Sequence, residues 1–323
     1  MMYYDYVKYR RESCMPRSIS WDITNKCNFK CKHCFNNSGD ENAHDFSKEI
    51  DKSTALDLAH QIVDMKVNQI CLCGGETFLC DYLFDILDIF KQSEMLTSIV
   101  SNGYFITKDI AKKLQNLGVY QIQISIDGLG YQHDIFRGKK GAFDKAVAAV
   151  DELNKANIKT LVSCCPNKYN YNSFREYVNF IYDLGCKNIR MMPLLPIGRA
   201  QKYLNEIKLT DIQLFDLTNI ISELNSEYEN LQIEWGDPLE HLHTILLTRR
   251  ESPMVMSIKS NGDIGITPYI DIVVANIANR RLKEIWNSGY NHIWENQEVI
   301  EIIKDVKCIQ DLSSKNDTYK VNL

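Results

Sequence analysis

The 323-residue chain has no apolar run near the roughly 20 residues of a membrane span, which excludes a helical membrane protein. Its first residues, MMYYDYVKYRRESC, contain no apolar signal core, which points to the cytoplasm. There is no excess of positive charge: the net charge is −5, so no general basic field attracts nucleic acid. Low-complexity linkers are missing too. With 45% hydrophobic and 24% charged residues, the composition is that of a globular protein and not of a disordered or fibrous one. What the chain does have in quantity is cysteine, 11 residues. An odd total in a reducing compartment argues against a disulfide framework and leaves metal ligands, catalytic thiols and small buried side chains.

From Ser18 to Ile197, short apolar runs alternate with helical stretches. Strands are expected at Ser18–Thr24, Gln69–Cys73, Thr97–Ser101, Tyr120–Ile126, Lys159–Cys165 and Asn188–Leu194. Helices are expected at Asp51–Lys66 (Leu56, Ala59, Val63 and Val67 on one face), Tyr82–Lys91, Lys108–Leu117, Ala142–Ala156 and Ser173–Leu184. Six strands with five intervening helices predict a parallel α/β fold, six units of the eight in a closed barrel. Chemistry in such folds sits beyond the carboxyl ends of the strands. The pattern changes near residue 200. Helices are expected at Thr210–Tyr228, Pro238–Arg249 and from Arg281, and Ser260-Asn261-Gly262-Asp263 reads as a hairpin.

The sharpest motif is Cys27-Asn28-Phe29-Lys30-Cys31-Lys32-His33-Cys34, directly after the first strand. Three thiolates suit zinc or an iron–sulfur cluster. Structural zinc needs four ligands, and no second Cys-x2-Cys pair follows to close such a site. A cubane held by three thiolates leaves one iron open to an exogenous ligand.

Cys27-x3-Cys31-x2-Cys34 in this position resembles the radical S-adenosylmethionine (radical SAM) superfamily. His33 stands where that family usually has an aromatic residue. Gly74-Gly75-Glu76, continuing into Thr77 in place of the usual Pro, resembles the segment that binds the methionine amino group. Ser101-Asn102-Gly103 is similar to the polar turn near the cofactor. Ser125-Ile126-Asp127-Gly128 is similar to the ribose-contacting segment, with His133-Asp134 and Arg137-Gly138 following as they often do. The resemblance covers about residues 18–200. It implies a partial (β/α)6 TIM-type barrel, one [4Fe-4S] cluster on Cys27, Cys31 and Cys34, and S-adenosyl-L-methionine on the open iron. His33, Gly74, Gly75, Glu76, Ser101, Asn102, Ser125 and Asp127 would be cofactor contacts, and Arg190, on the sixth strand, could hold the carboxylate. The implied chemistry is reductive cleavage to a 5′-deoxyadenosyl radical, with a flavodoxin- or ferredoxin-type electron donor.

Ile258–Gly289 resembles the SPASM or twitch extension of peptide-modifying radical enzymes through Gly262-Asp263, Asn276-Ile277 and Leu282–Trp286. Tyr269 stands where a cluster-binding Cys would be, and Cys308 is the one thiol after Cys186. The implied organisation is an N-terminal extension (1–17), a radical SAM partial barrel (18–200), and a smaller α+β SPASM/twitch-like domain without auxiliary clusters (201–323). The resemblance points to a peptide substrate, with leader recognition by a separate protein because the segment before the first strand is short. Without an auxiliary electron acceptor, a redox-neutral change such as epimerisation is the simpler outcome. Candidate hydrogen donors are Cys164 or Cys165, of which one should face the pocket, and Cys308; core packing, or for Cys308 a relic of a lost cluster site, is the alternative. Cys71, Cys73, Cys80 and Cys186 read as packing residues, Cys14 as a free thiol, and Trp235, Trp286 and Trp294 as core or packing anchors. A small-molecule or tetrapyrrole radical enzyme and a non-catalytic metal module are the competing readings.

Overall fold

The computed structural model describes residues 15–247, 253 and 255–323. Cys14, the end of the helix expected at Pro238–Arg249 and most of the 1–17 extension therefore lie outside the described residues. Alternation makes Ser18–Thr24 the strand β1: Ile19, Trp21 and Ile23 are buried while Ser18, Ser20 and Asp22 are not. Ten more strands follow in chain order: β2 (Gln69–Gly74), β3 (Leu96–Ser101), β4 (Gln121–Ser125), β5 (Lys159–Cys164), β6 (Asn188–Met191), β7 (Gln232–Trp235), β8 (Val255–Ile258), β9 (Asp263–Gly265), β10 (Ile272–Asn276) and β11 (Tyr319–Lys320). Helices intervene: α1 (Lys52–Asp64), α2 (Leu83–Lys91), α3 (Lys108–Asn116), α4 (Tyr131–Arg137), α5 (Ala142–Lys155), α6 (Phe174–Asp183), α7 (Ala200–Ile207), α8 (Asp211–Glu227) and α9 (Pro238–Leu247). The class is α/β with parallel central strands in an open, partial barrel arrangement. Among the described residues no helix is long and apolar enough to cross a membrane.

The chain divides into two units. One takes the described residues of Met1–Asn25, Asp45–Thr97 and Pro238–Leu323. Here β1 is flanked by β2 and β8, both parallel to it, and β8, β9 and β10 run antiparallel around the Ser260–Asp263 turn expected from the sequence. Trp286 and Tyr290 are fully buried in this unit.

The other unit takes Lys26–His44 and Ser98–Asp237. Its strands follow the order β3-β4-β5-β6-β7, all parallel. One face of this sheet carries Ile99, Ile122, Ile124, Val162 and Ile189, all buried. Ile124 points toward α5: a Cβ on Gly103 would meet Ala146 Cα at 3.0 Å and Ile124 Cγ2 at 3.4 Å. The opposite face bears a polar row in register, Ser125, Ser163, Arg190 and Glu234.

Several expectations need correction. The buried face of α1 is Ala55, Leu58, Ala59 and Ile62, one residue out of step with the Leu56–Ala59–Val63 stripe, and Val67 lies beyond the helix. Two stripes of that sequence satisfy helical spacing, and the tighter i, i+3, i+4, i+7 set wins. The short helix α4 and the strand β7 were not foreseen; both are too short to show a period. Of the three tryptophans expected as core or packing anchors, Trp286 and Trp294 are buried, whereas Trp235 closes β7 and is 38% exposed, so it is no core residue.

Candidate active site

The cysteine loop lies in the second unit and is held by backbone approaches that only glycine permits. Gly198 (φ +59°) brings its Cα so near that a Cβ would sit 2.2 Å from the Phe35 carbonyl oxygen and 2.8 Å from that of Cys34. Gly138 (φ +64°), just after α4, does the same to the Lys30 carbonyl at 2.7 Å. Arg199, which follows Gly198, is buried and spans the loop. Its Nη1 donates to the Cys31 carbonyl (3.1 Å), its Nη2 to the Ser38 carbonyl (2.9 Å), and its backbone N–H to the Cys34 carbonyl (2.8 Å). Carbonyls that a helix or sheet would otherwise satisfy are thereby paired.

Inside this frame Cys27, Cys31 and Cys34 pack around Phe29 and Ala142. Burial pushes the Cys31 thiol up to about 12; Arg137 opposes the shift, and the neighbouring Cys34 and Cys27 add to it. His33 stacks on Phe136, ring centroids 4.2 Å apart and nearly parallel. Burial pulls its pKa down to about 3, keeping it neutral.

The turn after β3 reaches the same loop. Asn102 Nδ2 donates to Asn28 Oδ1 at 2.8 Å, and Ser101 Oγ accepts from Gly103 N. Asp127, beyond β4, is buried with both carboxylate oxygens engaged: Oδ1 accepts from Cys165 N (2.7 Å) and Oδ2 from Arg137 Nε (2.5 Å). Burial alone would raise its pKa, but Arg137 and the nearby His33 and His133 bring it below the usual carboxylate value. Its own N–H donates to His133 Nδ1. Ser125 is buried at the end of β4, and Arg190 is exposed on the same face of the sheet.

The remaining candidates are spread more widely. Cys164 and Cys165 are both buried, and burial drives both thiols well above their ordinary pKa. Asn170 Nδ2 lies 3.6 Å from Cys164 Sγ, while Cys165 packs with Phe136 and Ile207. In the first unit, Gly74 (φ +121°) is pressed by β1, since a Cβ would meet the Thr24 carbonyl at 2.3 Å; Gly75 N donates to that same oxygen (2.7 Å). Glu76 is fully buried, its Oε1 accepting from Phe78 N. Cys308 is exposed at the start of a short helical turn.

Among the described residues no three His, Cys, Asp or Glu side chains are arranged around a single ion. A cubane takes each thiolate on a different iron, a demand that three thiols spaced along one loop suit. Two buried polar atoms of this loop, Asn28 Nδ2 and His33 Nδ1, have no hydrogen-bond partner among the described residues. Soft donors, burial and unanswered polar atoms fit a bound cluster with a polar ligand beside it.

The sequence profile of the radical SAM superfamily matches residues 21–181. This chain belongs to the radical SAM superfamily. It is therefore an enzyme, and relatives cover most of its length. The AdoMet-dependent heme synthase of Methanosarcina barkeri is 23% identical over 90% of this chain and 85% of its own. The sporulation killing factor maturation protein SkfB of Bacillus subtilis is 26% identical over 80% of this chain and 61% of its own. Among solved structures, Streptococcus suis SuiB bound to S-adenosylmethionine superposes with a TM-score of 0.74 at 16% identity, covering 98% of this chain and 79% of SuiB; SuiB is also known bound to its precursor peptide SuiA.

Sequence reasoning missed Arg199, Gly198 and Ser163. Gly198-Arg199 follows Pro196, and a Gly-Arg pair just past the sixth strand was the available signal.

Proposed function

We propose that this radical SAM enzyme holds one [4Fe-4S] cluster on Cys27, Cys31 and Cys34 and modifies a peptide. When bound, the cluster and S-adenosylmethionine supply a one-electron cleavage and a hydrogen-abstracting radical. The protein's part is to orient and exclude water. Arg199 and Gly198 fix the cysteine loop; Asn102 ties the turn after β3 to it; Ser125 and Arg190 offer polar contacts from one sheet face; Glu76, beside Gly74 and Gly75, offers a carboxylate to an ammonium. His33 offers a neutral ring.

The observation that carries the peptide reading is a likeness along the whole chain, C-terminal region included, to a protein known bound to its precursor peptide. SkfB, a maturation protein, points the same way. Residues 201–323 are read as a SPASM-like domain without auxiliary clusters, since Tyr269 and the single Cys308 replace the cysteines that a cluster needs. A redox-neutral reaction such as epimerisation follows, with Cys164, Cys165 or Cys308 returning the hydrogen and a flavodoxin- or ferredoxin-type protein as electron donor. The heme synthase likeness, which spans 85% of that relative, supports a second reading with a tetrapyrrole substrate.

One experiment separates them. The reconstituted enzyme is offered a short peptide encoded beside its gene or, separately, an iron porphyrin, in D₂O with S-adenosylmethionine and a reductant. Deuterium at a peptide α-carbon supports epimerisation. A mass change in the porphyrin alone replaces the peptide reading with the second one.

A further inference from the structure

Arg137 closes α4 and stands, largely but not fully buried, in a line of three groups. Its Nε donates to Asp127 Oδ2 at 2.5 Å, and its Nη1 lies 3.8 Å from Cys31 Sγ, within reach of a hydrogen bond to sulfur. The guanidinium is 12% exposed and the carboxylate 1%. Asp127 is itself fixed from three sides. Cys165 N donates to its carboxylate, its own N–H donates to His133 Nδ1, and Asn170 Nδ2 donates to its carbonyl. A buried ion pair this well anchored costs desolvation energy that hydrophobic residues would not, so it calls for a use beyond stability.

We propose that Asp127 and Arg137 are positioning residues that set the reduction potential of the cluster through Cys31; this rests on the reading that Cys31 ligates it. A cation donating an N–H to a ligating sulfur withdraws negative charge and favours the reduced state, which carries one more electron. The carboxylate behind the guanidinium limits that effect. The two side chains therefore act in opposite directions on one quantity, and Asp127 does more than contact a ribose.

The test is an anaerobic redox titration of the reconstituted full-length enzyme, with dithionite as the one-electron reductant and the spin signal of the reduced cluster as readout, without S-adenosylmethionine or substrate. Arg137→Gln is expected to shift the one-electron equilibrium about tenfold against reduction, about 59 mV more negative. Asp127→Asn, which keeps the shape and leaves Arg137 uncompensated, is expected to shift it several-fold the other way. Iron content is measured alongside. If Arg137→Gln does not retain iron, Asp127→Asn decides alone. Wild-type potentials in iron-loaded variants, or shifts of the same sign in both, overturn the inference. A wild-type enzyme with no reducible cluster overturns instead the function proposed above.

Discussion

Arg199 is hydrogen-bonded through Nη1 to the carbonyl oxygen of Cys31, 168 positions earlier in the chain. The same guanidinium holds the Ser38 carbonyl, so one side chain fixes two points of the cysteine loop. Arg199→Ala removes both of these hydrogen bonds, leaving the Cys31 carbonyl with its bond from Cys34 N alone, and groups supporting metal ligands typically contribute about 10–100-fold to affinity. The variant is expected to lose iron at least tenfold faster to a chelator than wild type, measured by absorbance after reconstitution. Equal loss rates would remove Arg199 from the frame of the site.

Gly198 and Gly118 both have left-handed backbone, at φ +59° and +72°. Only Gly198 is pressed, because a Cβ on Gly118 would meet nothing within 4 Å. Gly118→Ala is expected to cost about 1 kcal/mol of stability from backbone strain alone. Gly198→Ala adds a clash with the Phe35 carbonyl and is expected to cost clearly more and to lower iron loading as well. Thermal melts with iron assays distinguish the two, and equal melting temperatures would contradict the packing described.

Much of the fold was legible because its signals are local. The parallel strands show apolar runs closed by glycine, and the three cysteines announce themselves by spacing. What stayed hidden is long-range. The Gly198-Arg199 pair marks a tight turn past the sixth strand, but it does not tell that a loop more than 160 residues earlier will lie against it. The polar row Ser125–Ser163–Arg190–Glu234 depends on register between strands, which no single strand reveals. Helix α4 has seven residues, so its roughly two turns of period are lost between Gly130 and Gly138.

Asp134 caps α5 from the preceding helix: its carboxylate accepts from Gly141 N (2.6 Å) and Phe143 N (2.9 Å). Two backbone donors lose their partner in Asp134→Ala, and the expected cost is about 1–2 kcal/mol. Chemical denaturation measures it. A change under a few tenths of a kcal/mol would show that the cap is dispensable.

The buried thiols have a direct chemical test. Cys164 and Cys165 have pKa values raised well above the ordinary thiol by burial, so at pH 7–8 they remain protonated and unreactive. Cys308 is exposed. Brief iodoacetamide treatment of the folded protein, followed by peptide mass spectrometry, is expected to modify Cys308 and spare the other two. Rapid alkylation of Cys164 or Cys165 would mean that the core opens readily there.

The central claim is that three thiols of one loop carry the chemistry. The most direct measurement is iron and zinc content per chain after anaerobic reconstitution, with 5′-deoxyadenosine formation on reduction, in wild type and in a Cys27→Ala, Cys31→Ala, Cys34→Ala triple variant. The account predicts about four irons and nucleoside release in wild type and neither in the variant. One zinc per chain, or nucleoside release that survives loss of the three thiols, would contradict it.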